Sequence, residues 1–259
     1  MKKGLKITLS LATVALLALL IVVIFKHNEN KRLQLACIGV NVEFVGDYRF
    51  VTKEDIESYL QKDYGTYLGK RLDSLDLDRI ENVLNQKSAI SKTDAYTTPD
   101  GMLNVKVWQR NPVVRFQKGD LGFYSDEMGF LFPLQSNYAL DVPTISGNIP
   151  LEFTSGYKGE PKTDKEKAWL TKVIDLAEYI QSSPDWKYAF SKVTVDGEGD
   201  LVMTPSQGSE KFIFGKPDDI NLKFSRIRKY YTAIVPARGH YKTVNVKFRK
   251  QIICRDNIK

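Results

Sequence analysis

The spacing of apolar and polar residues first sets apart one uncharged segment near the start of the chain. Between Ile7 and Phe25, nineteen residues follow one another without a charge. A helix needs about 20 apolar residues to cross a hydrocarbon core about 30 Å thick. The pattern therefore predicts a single transmembrane helix over residues 7–25, with a tail at residues 1–6 and a polar linker at residues 26–36.

The end of this segment favours an uncleaved anchor over a leader that is removed. A signal peptide has an apolar stretch of only about 7–15 residues and ends in small residues, whereas Phe25 is followed directly by Lys26. A lipoprotein cysteine at Cys37 is disfavoured because polar residues separate it from the apolar run. The tail carries three lysines and no acid, so we expect the N-terminus in the cytoplasm and the remaining residues outside.

Behind the linker, the pattern predicts a compact module of strand, helix, helix, strand and strand. Apolar residues alternate from Ile38 to Phe44, as in a half-buried strand. Two amphipathic helices follow, with Thr52 and Asp76 as their N-caps. A weak strand pattern at 89–97, a Pro-Asp-Gly turn and a clear strand at 103–107 complete the module. Packing both helices on one sheet face gives an α+β fold.

The second half of the chain predicts a mixed, β-rich domain with two longer helices. A capping box that begins at Thr163 opens the first helix, and Asp218 or Asp219 caps the second. Short strands are predicted at 121–134 around a turn, at 193–195, at 201–204 and at 212–214. The final pair of strands is predicted to run from Thr243 to Phe248 and from Gln251 to Cys254.

Charge and composition exclude several classes of function. The net charge is +7, but the basic residues are scattered among 31 acids, and no recognition helix or RNP-type aromatic run appears. Nucleic-acid binding is therefore not predicted. Two cysteines, Cys37 and Cys254, and two histidines have no metal-ligand spacing, so we predict no metal or other cofactor. A disulfide is chemically possible in an oxidising compartment, but two unpaired, half-buried thiols are favoured.

No motif predicts an enzyme or a small-molecule substrate. Asp126 and Glu127 are neighbours on a predicted turn, where we expect both to be solvated and to point apart. Glycosidase chemistry instead needs two carboxylates that face each other across a bond. The pair Cys254 and His240 is a poor nucleophile and base because Cys254 lies in an alternating strand. Gly197-Glu-Gly199 lacks the Gly-Lys-Ser/Thr of a phosphate-binding loop.

Five motifs occur in an order that resembles the FtsQ/DivIB family of bacterial cell-division proteins. The short tail, lone anchor and first module resemble the tail, membrane helix and POTRA domain of that family, which places a POTRA-like domain at 37–112 and a β domain at 113–259. The other similar passages are Val107-Trp-Gln-Arg-Asn-Pro-Val, Asp126-Glu-Met-Gly, Val142-Pro-Thr-Ile-Ser-Gly and the two closing strands. One departure is Gln109, where the family often has glutamate, which removes a possible ion pair.

The resemblance implies a divisome scaffold at the division septum. It would link early division proteins to septal peptidoglycan synthesis and bind the FtsB/DivIC-like and FtsL-like coiled-coil membrane proteins outside the cytoplasmic membrane. Docking would occur by addition of a partner strand to an exposed sheet edge. The resemblance places this edge at the closing strands, with these predicted contact residues: Tyr241, Thr243, Asn245, Lys247, Phe248, Arg249, Gln251, Ile252 and Ile253.

Three other interpretations stay open from the sequence. A POTRA-type module also occurs in factors for outer-membrane assembly and secretion, although too few residues follow it here for a many-stranded barrel. A less favoured alternative is an anchored cell-wall hydrolase. The closing strand can also be an ordinary strand with a solvated face, whose lysines protect the edge instead of attracting an acidic partner.

Overall fold

The segment predicted to span the membrane is helical over residues 14–26, here called α1. The computed structural model describes residues 14–26, 35–46, 50–134 and 140–257, so Ile7 lies outside the described residues and Phe25 lies within α1. In this part of the chain, no helix combines the length and the apolar character that crossing a membrane requires. The described residues divide into two units between Gln109 and Arg110.

Unit 1 has the predicted order of strand, helix, helix, strand and strand. Its three-stranded sheet has the order β1-β3-β2, with β3 parallel to β1 and antiparallel to β2. A π-helical turn, Leu60–Tyr64, continues the first helix, and a 3₁₀ turn, Leu72–Ser74, precedes the second. The other elements are β1 (Gly39–Val45), α2 (Lys53–Tyr59), α3 (Leu77–Asn85), β2 (Ile90–Thr97) and β3 (Met102–Gln109).

Local signals explain where the helices of unit 1 begin. The hydroxyl of Thr52 accepts the N–H of Asp55 at 3.2 Å, and the Asp55 carboxylate accepts the N–H of Thr52 at 2.9 Å. Asp76 caps α3 by accepting the N–H of Arg79 at 2.9 Å. Both predicted N-caps are thus confirmed. The Gln109 amide is buried and bonds to both main-chain polar groups of Val51, which gives this residue a structural role without an ion pair.

Unit 2 contains a nine-stranded mixed sheet of order β12-β11-β10-β9-β8-β7-β4-β5-β6. Three neighbouring pairs are parallel, namely β4 with β7, β7 with β8 and β10 with β11. The strands are β4 (Pro112–Lys118), β5 (Leu121–Asp126), β6 (Leu131–Pro133), β7 (Thr144–Gly147), β8 (Phe190–Val195), β9 (Leu201–Pro205), β10 (Lys211–Gly215), β11 (Tyr241–Asn245) and β12 (Ile253–Asn257). With the helices described next, this is the predicted β-rich domain of an α+β protein.

Two helical crossovers create two of the parallel pairs, because parallel neighbours need a long connection between them. The crossover from β7 to β8 contains α4 (Asp164–Ser182), which starts at the predicted capping box of Thr163. The crossover from β10 to β11 contains α5 (Ile220–Lys229), a π-helical turn (Tyr230–Ile234) and α6 (Val235–Arg238). Both longer helices share one apolar core with the sheet, and the rings of Tyr179 and Phe224 join them at a centroid distance of 4.8 Å.

The predicted cap of α5 needs correction. Asp219 occupies the N-cap position, but it has a left-handed backbone with φ of 47° and makes no side-chain cap. Its carboxylate instead accepts hydrogen bonds from Arg249. Asp218 pairs with the buried ammonium of Lys223 at 2.5 Å, so neither carboxylate is available to the first turn of the helix.

The predicted solvated turn at Asp126 is wrong for that residue. The Asp126 side chain is only 7% exposed and pairs with the Arg110 guanidinium at 2.7 Å. The carboxylate also accepts the N–H groups of Met128 and Phe130, at 3.0 and 2.8 Å. Because a buried carboxylate needs compensating donors, these three contacts explain why it can leave water. Glu127 is exposed and accepts a hydrogen bond from Asn111.

Candidate partner-binding edge

Of the two closing strands, only β12 has an unpaired side in the described sheet. β11 lies between β10, to which it is parallel, and β12, to which it is antiparallel. β12 is the outermost strand at this end. A strand at the edge of a sheet presents main-chain N–H and C=O groups that can pair with another chain. The free edge is therefore formed by residues Ile253–Asn257.

The predicted bounds of the closing strands are wrong, because β11 ends at Asn245 and β12 begins at Ile253. The Val246 N–H still bonds to the sheet, but side chains then bind the main chain of this segment. The Asn245 side-chain oxygen accepts the Lys247 N–H at 3.1 Å, and the buried Arg226 guanidinium donates to the Val246 carbonyl at 3.0 Å. Such bonds compete with a strand ladder. Residues 246–252 form a connection, here called the edge loop.

Lys247 was predicted to be free to meet a partner carboxylate, but in the structure its ammonium is held within the molecule. Its ammonium lies 2.9 Å from the Asp200 carboxylate, which also pairs with Lys216 at 3.1 Å. Burial raises the pKa of Asp200, but hydrogen bonds and charges from the two lysines outweigh burial and lower it. The hydrogen bond and charge of Asp200 raise the pKa of Lys247. The pair therefore stays ionised at neutral pH and fixes the start of the edge loop.

The middle of the edge loop exposes one aromatic side chain. Phe248 is 39% exposed, and the Lys247 ammonium lies 5.6 Å from its ring centroid. Arg249 is bound to Asp219 at 2.9 Å. Gln251 is exposed, whereas Ile252 is half-buried against the core of unit 2. Phe248 is thus the loop's candidate for an apolar contact with a partner.

The other end of β11 is fixed by a cluster of polar groups. The Tyr241 N–H donates to the Tyr230 hydroxyl at 2.9 Å. Glu210 is buried, and one of its carboxylate oxygens pairs with the His240 ring at 2.5 Å. Burial and the nearby Glu210 raise the pKa of Tyr231 well above its usual range. These contacts fix the first residue of β11, so the register of the edge is determined at both ends.

The predicted contact residues separate into three groups. Tyr241, Thr243 and Asn245 lie on the inner strand β11, and Ile253 is the first residue of β12. The others lie in the edge loop: Lys247, Phe248, Arg249, Gln251 and Ile252. The prediction missed Arg255, Asp256 and Asn257 of β12. The sequence gives no alternation there, because all three residues that follow Cys254 in the strand are polar.

Neither the cysteines nor a metal cluster gives this region chemistry of its own. Cys37 and Cys254 are both free, as the sequence favoured, and Cys37 is fully buried. Cys254 faces the core of unit 2, where burial raises the pKa of its thiol and keeps it protonated. Throughout the described ranges, no group of three potential ligands is arranged to hold a metal ion.

Two family models match the chain, one in each unit. A POTRA-like domain model covers residues 36–108. A second model, FtsQ/DivIB, C-terminal related, covers residues 111–255, which is more than half of the chain and includes β11, the edge loop and the start of β12. The chain belongs to the FtsQ/DivIB C-terminal related family. The resemblance seen in the sequence is thereby confirmed, and FtsQ/DivIB membership assigns the chain a role in cell division. Among the curated proteins, none matches.

Proposed function

We propose that this FtsQ/DivIB-related chain is a division scaffold. It binds membrane-anchored coiled-coil partners of the FtsB/DivIC and FtsL type outside the cytoplasmic membrane. Through them and other divisome components it links early division proteins to septal peptidoglycan synthesis. The observation that carries this proposal is the free side of β12 at the end of the family-matched sheet.

The chemistry of this edge suits the addition of a strand. A partner strand can pair with the outward main-chain groups of β12, while alternate side chains determine which partner is accepted. Cys254 faces the core, so Ile253 and Arg255 lie on the opposite face of the sheet. Beside the edge, the exposed Phe248 offers an apolar contact. Main-chain pairing thus provides affinity, and these side chains provide selectivity.

Removing β12 is the test of this docking mode. We expect that a chain ending at Gln251 no longer captures a purified FtsB/DivIC- and FtsL-type pair, measured as binding kinetics on a sensor surface in detergent. The reason is that β11, which then becomes the outer strand, runs in the opposite direction to β12 and presents different residues. Phe248→Ala is expected to weaken capture by about 2 kcal/mol, as for an aromatic interface anchor. Lys247→Ala is expected to have a smaller effect because Asp200 holds that ammonium.

A matched control for Phe248 is Tyr188→Ala, another exposed aromatic that lies outside the edge. Urea unfolding, monitored by tryptophan fluorescence, checks that unit 2 is intact in each variant. Wild-type capture by the folded chain that lacks β12 would move the interface away from this edge. Equal losses for Phe248→Ala and Tyr188→Ala would show a nonspecific apolar effect.

We also propose that the chain is anchored in the cytoplasmic membrane by the segment that ends in α1, with the N-terminus inside and both units outside. The uncharged run and the basic tail support this orientation. We expect the protein to sediment with membranes after alkaline washing, and external protease to digest both units in spheroplasts. A fluorescent fusion should concentrate at the division septum. Recovery in the soluble fraction, or protection of the units in spheroplasts, would contradict the proposal.

A further inference from the structure

The sheet of unit 2 has a second face that points away from α4 and α5, here called the open face. Val193, Phe212 and Val244 lie in the core that these helices cover. Because side chains alternate along a strand, the residues next to them point to the open face. These include Thr194 and Ile213, which are half-buried. The open face therefore remains accessible across most of the sheet.

The strand register aligns one row of side chains across seven neighbouring strands of the open face. Paired residues are Arg255 with Thr243, Thr243 with Lys211, Lys192 with Thr204, and Thr144 with Arg115. The pairs Phe212–Met203 and Ile145–Val193 set the remaining register, which places Lys211 beside Thr204 and Lys192 beside Thr144. From β12 to β4 the row reads Arg255, Thr243, Lys211, Thr204, Lys192, Thr144 and Arg115.

Every second strand of this row carries a positive charge, and a threonine stands on each strand between. We call Arg115, Lys192, Lys211 and Arg255 the cationic row. The adjacent row of the open face has no charge; it consists of Ile253, Asn245, Ile213, Val202, Thr194, Ser146 and Gln117. The open face therefore carries four positive charges in these two rows and no negative charge.

The cationic row has no counter-charge of its own. Lys192, Lys211 and Arg255 are exposed, and no carboxylate among the described residues lies within ion-pair distance of any member of the row. Arg115 is half-buried; its Nη2 donates to Gln117 at 3.2 Å, and its buried Nε has no acceptor. In the edge loop, by contrast, Lys247 and Arg249 are both paired. Unpaired charges of one sign attract an anionic partner.

The spacing and twist of the row identify the shape of that partner. Alternate strands lie about 9.6 Å apart. This is close to one turn of a polyproline II helix, about 9.3 Å, in which every third side chain points to the same side. Neighbouring strands in a sheet are rotated by about 20–25° relative to each other. Over the six steps from β12 to β4, the direction in which side chains leave the open face therefore changes by about 120–150°. A flat membrane cannot meet all four charges on such a surface, whereas a flexible chain can follow the twist.

We propose that the cationic row binds an acidic polypeptide segment of a partner protein in the polyproline II conformation, with a carboxylate at about every third residue. The segment crosses the strands on the open face and does not add to the edge of the sheet. Arg255 is exposed and provides a guanidinium that can hold a carboxylate through two bonds, whereas the half-buried Arg115, already bonded to Gln117, contributes mainly its charge. The intervening threonine hydroxyls can donate to side-chain or main-chain oxygens of the segment. This surface meets the edge strand β12 only at Arg255, and it uses side chains of the open face instead of the free main-chain groups of β12.

The test uses the full chain in neutral detergent and a fluorescent peptide with an aspartate or glutamate at every third position. We expect Lys192→Glu with Lys211→Glu to weaken binding at least about tenfold, measured by anisotropy, and to flatten its salt dependence. The matched control is Lys165→Glu with Lys172→Glu on α4, which makes the same change in net charge on exposed residues away from the open face. We expect less than about twofold loss for it because the long-range effect of net charge is screened.

Three results would overturn the proposal. Equal losses in the two double variants would show that net charge alone attracts the peptide. Equal binding of a peptide with the same composition but clustered acids would remove the spacing argument. Stronger binding of anionic lipid vesicles, competing with the peptide at Lys192 and Lys211, would identify a membrane as the ligand. Phe248 lies on the edge loop and not in the cationic row, so Phe248→Ala should leave binding of the acidic peptide unchanged. The same variant is expected to weaken capture at β12, so the two proposals can fail independently.

Discussion

Replacing Phe224 by alanine is expected to lower the free energy of unfolding of unit 2 by about 3–5 kcal/mol, the usual cost of emptying a buried aromatic site. The Phe224 side chain is 1% exposed. Its ring meets those of Tyr179 and Trp186 at centroid distances of 4.8 and 4.9 Å, and that of Phe214 at 5.4 Å. One side chain of α5 thus contacts α4, the segment before β8 and the strand β10, so its loss leaves a cavity that no single neighbour can fill.

Equilibrium unfolding in urea of the full chain with Trp108→Phe, monitored by the fluorescence of Trp169 and Trp186, measures this loss in unit 2. The matched control is Leu222→Ala, two residues earlier on the same helix and 39% exposed. It should change the midpoint little, since its side chain is already partly in water. A Phe224→Ala midpoint as close to wild type as that of Leu222→Ala would show that the ring cluster does not support the core.

Replacing Arg110 by alanine is expected to destabilise unit 2 by about 3–5 kcal/mol, because it leaves the buried Asp126 carboxylate without its cation. The two side chains are 14% and 7% exposed, and their atoms lie 2.7 Å apart. The guanidinium also covers the ring of Phe130, with its carbon 3.4 Å from the ring centroid. Removing it therefore takes away both a counter-charge and a packing surface.

The control for this change is Arg228→Ala, which breaks an ion pair of similar length, 2.6 Å, between Arg228 and Asp185 on the surface. Both of those side chains are more than half exposed, and such pairs contribute little to stability. Thermal unfolding of the two variants, followed by circular dichroism, compares the effects directly. Equal shifts in Tm would mean that burial of the Arg110 pair has no energetic consequence.

Elements whose signals are local could be predicted from the sequence. The capping boxes at Thr52 and Thr163 contain both partners within four residues, so each helix start could be predicted correctly. The alternation on β1 and β3 likewise depends only on neighbouring residues. Strand β7 was different: it has four residues, and its pairing with β4 and β8 depends on segments far away in the sequence.

The two closing strands could be predicted from the sequence, but their bounds could not. The closing strands do form the end of the sheet, yet their ends depend on Arg226 and Asp200, which are distant in sequence. Lys247 looked free because no acid stands near it in the sequence; its partner is 47 positions earlier. The cationic row could not be seen at all without the register, since its four members lie on four separate strands.

The position of the short strand β7 also has a consequence for how the sheet of unit 2 would carry a mechanical load. It joins a three-stranded part, β4 to β6, to a five-stranded part, β8 to β12, through three paired residues on each side. A load applied between β12 and β4 would act across the strands and pass through the hydrogen bonds on each side of β7. Helix α4 packs against β4 and shares its core with β8 through Val193, and it therefore bears the remaining force. A load across the sheet would thus be shared between this four-residue strand and the core under α4.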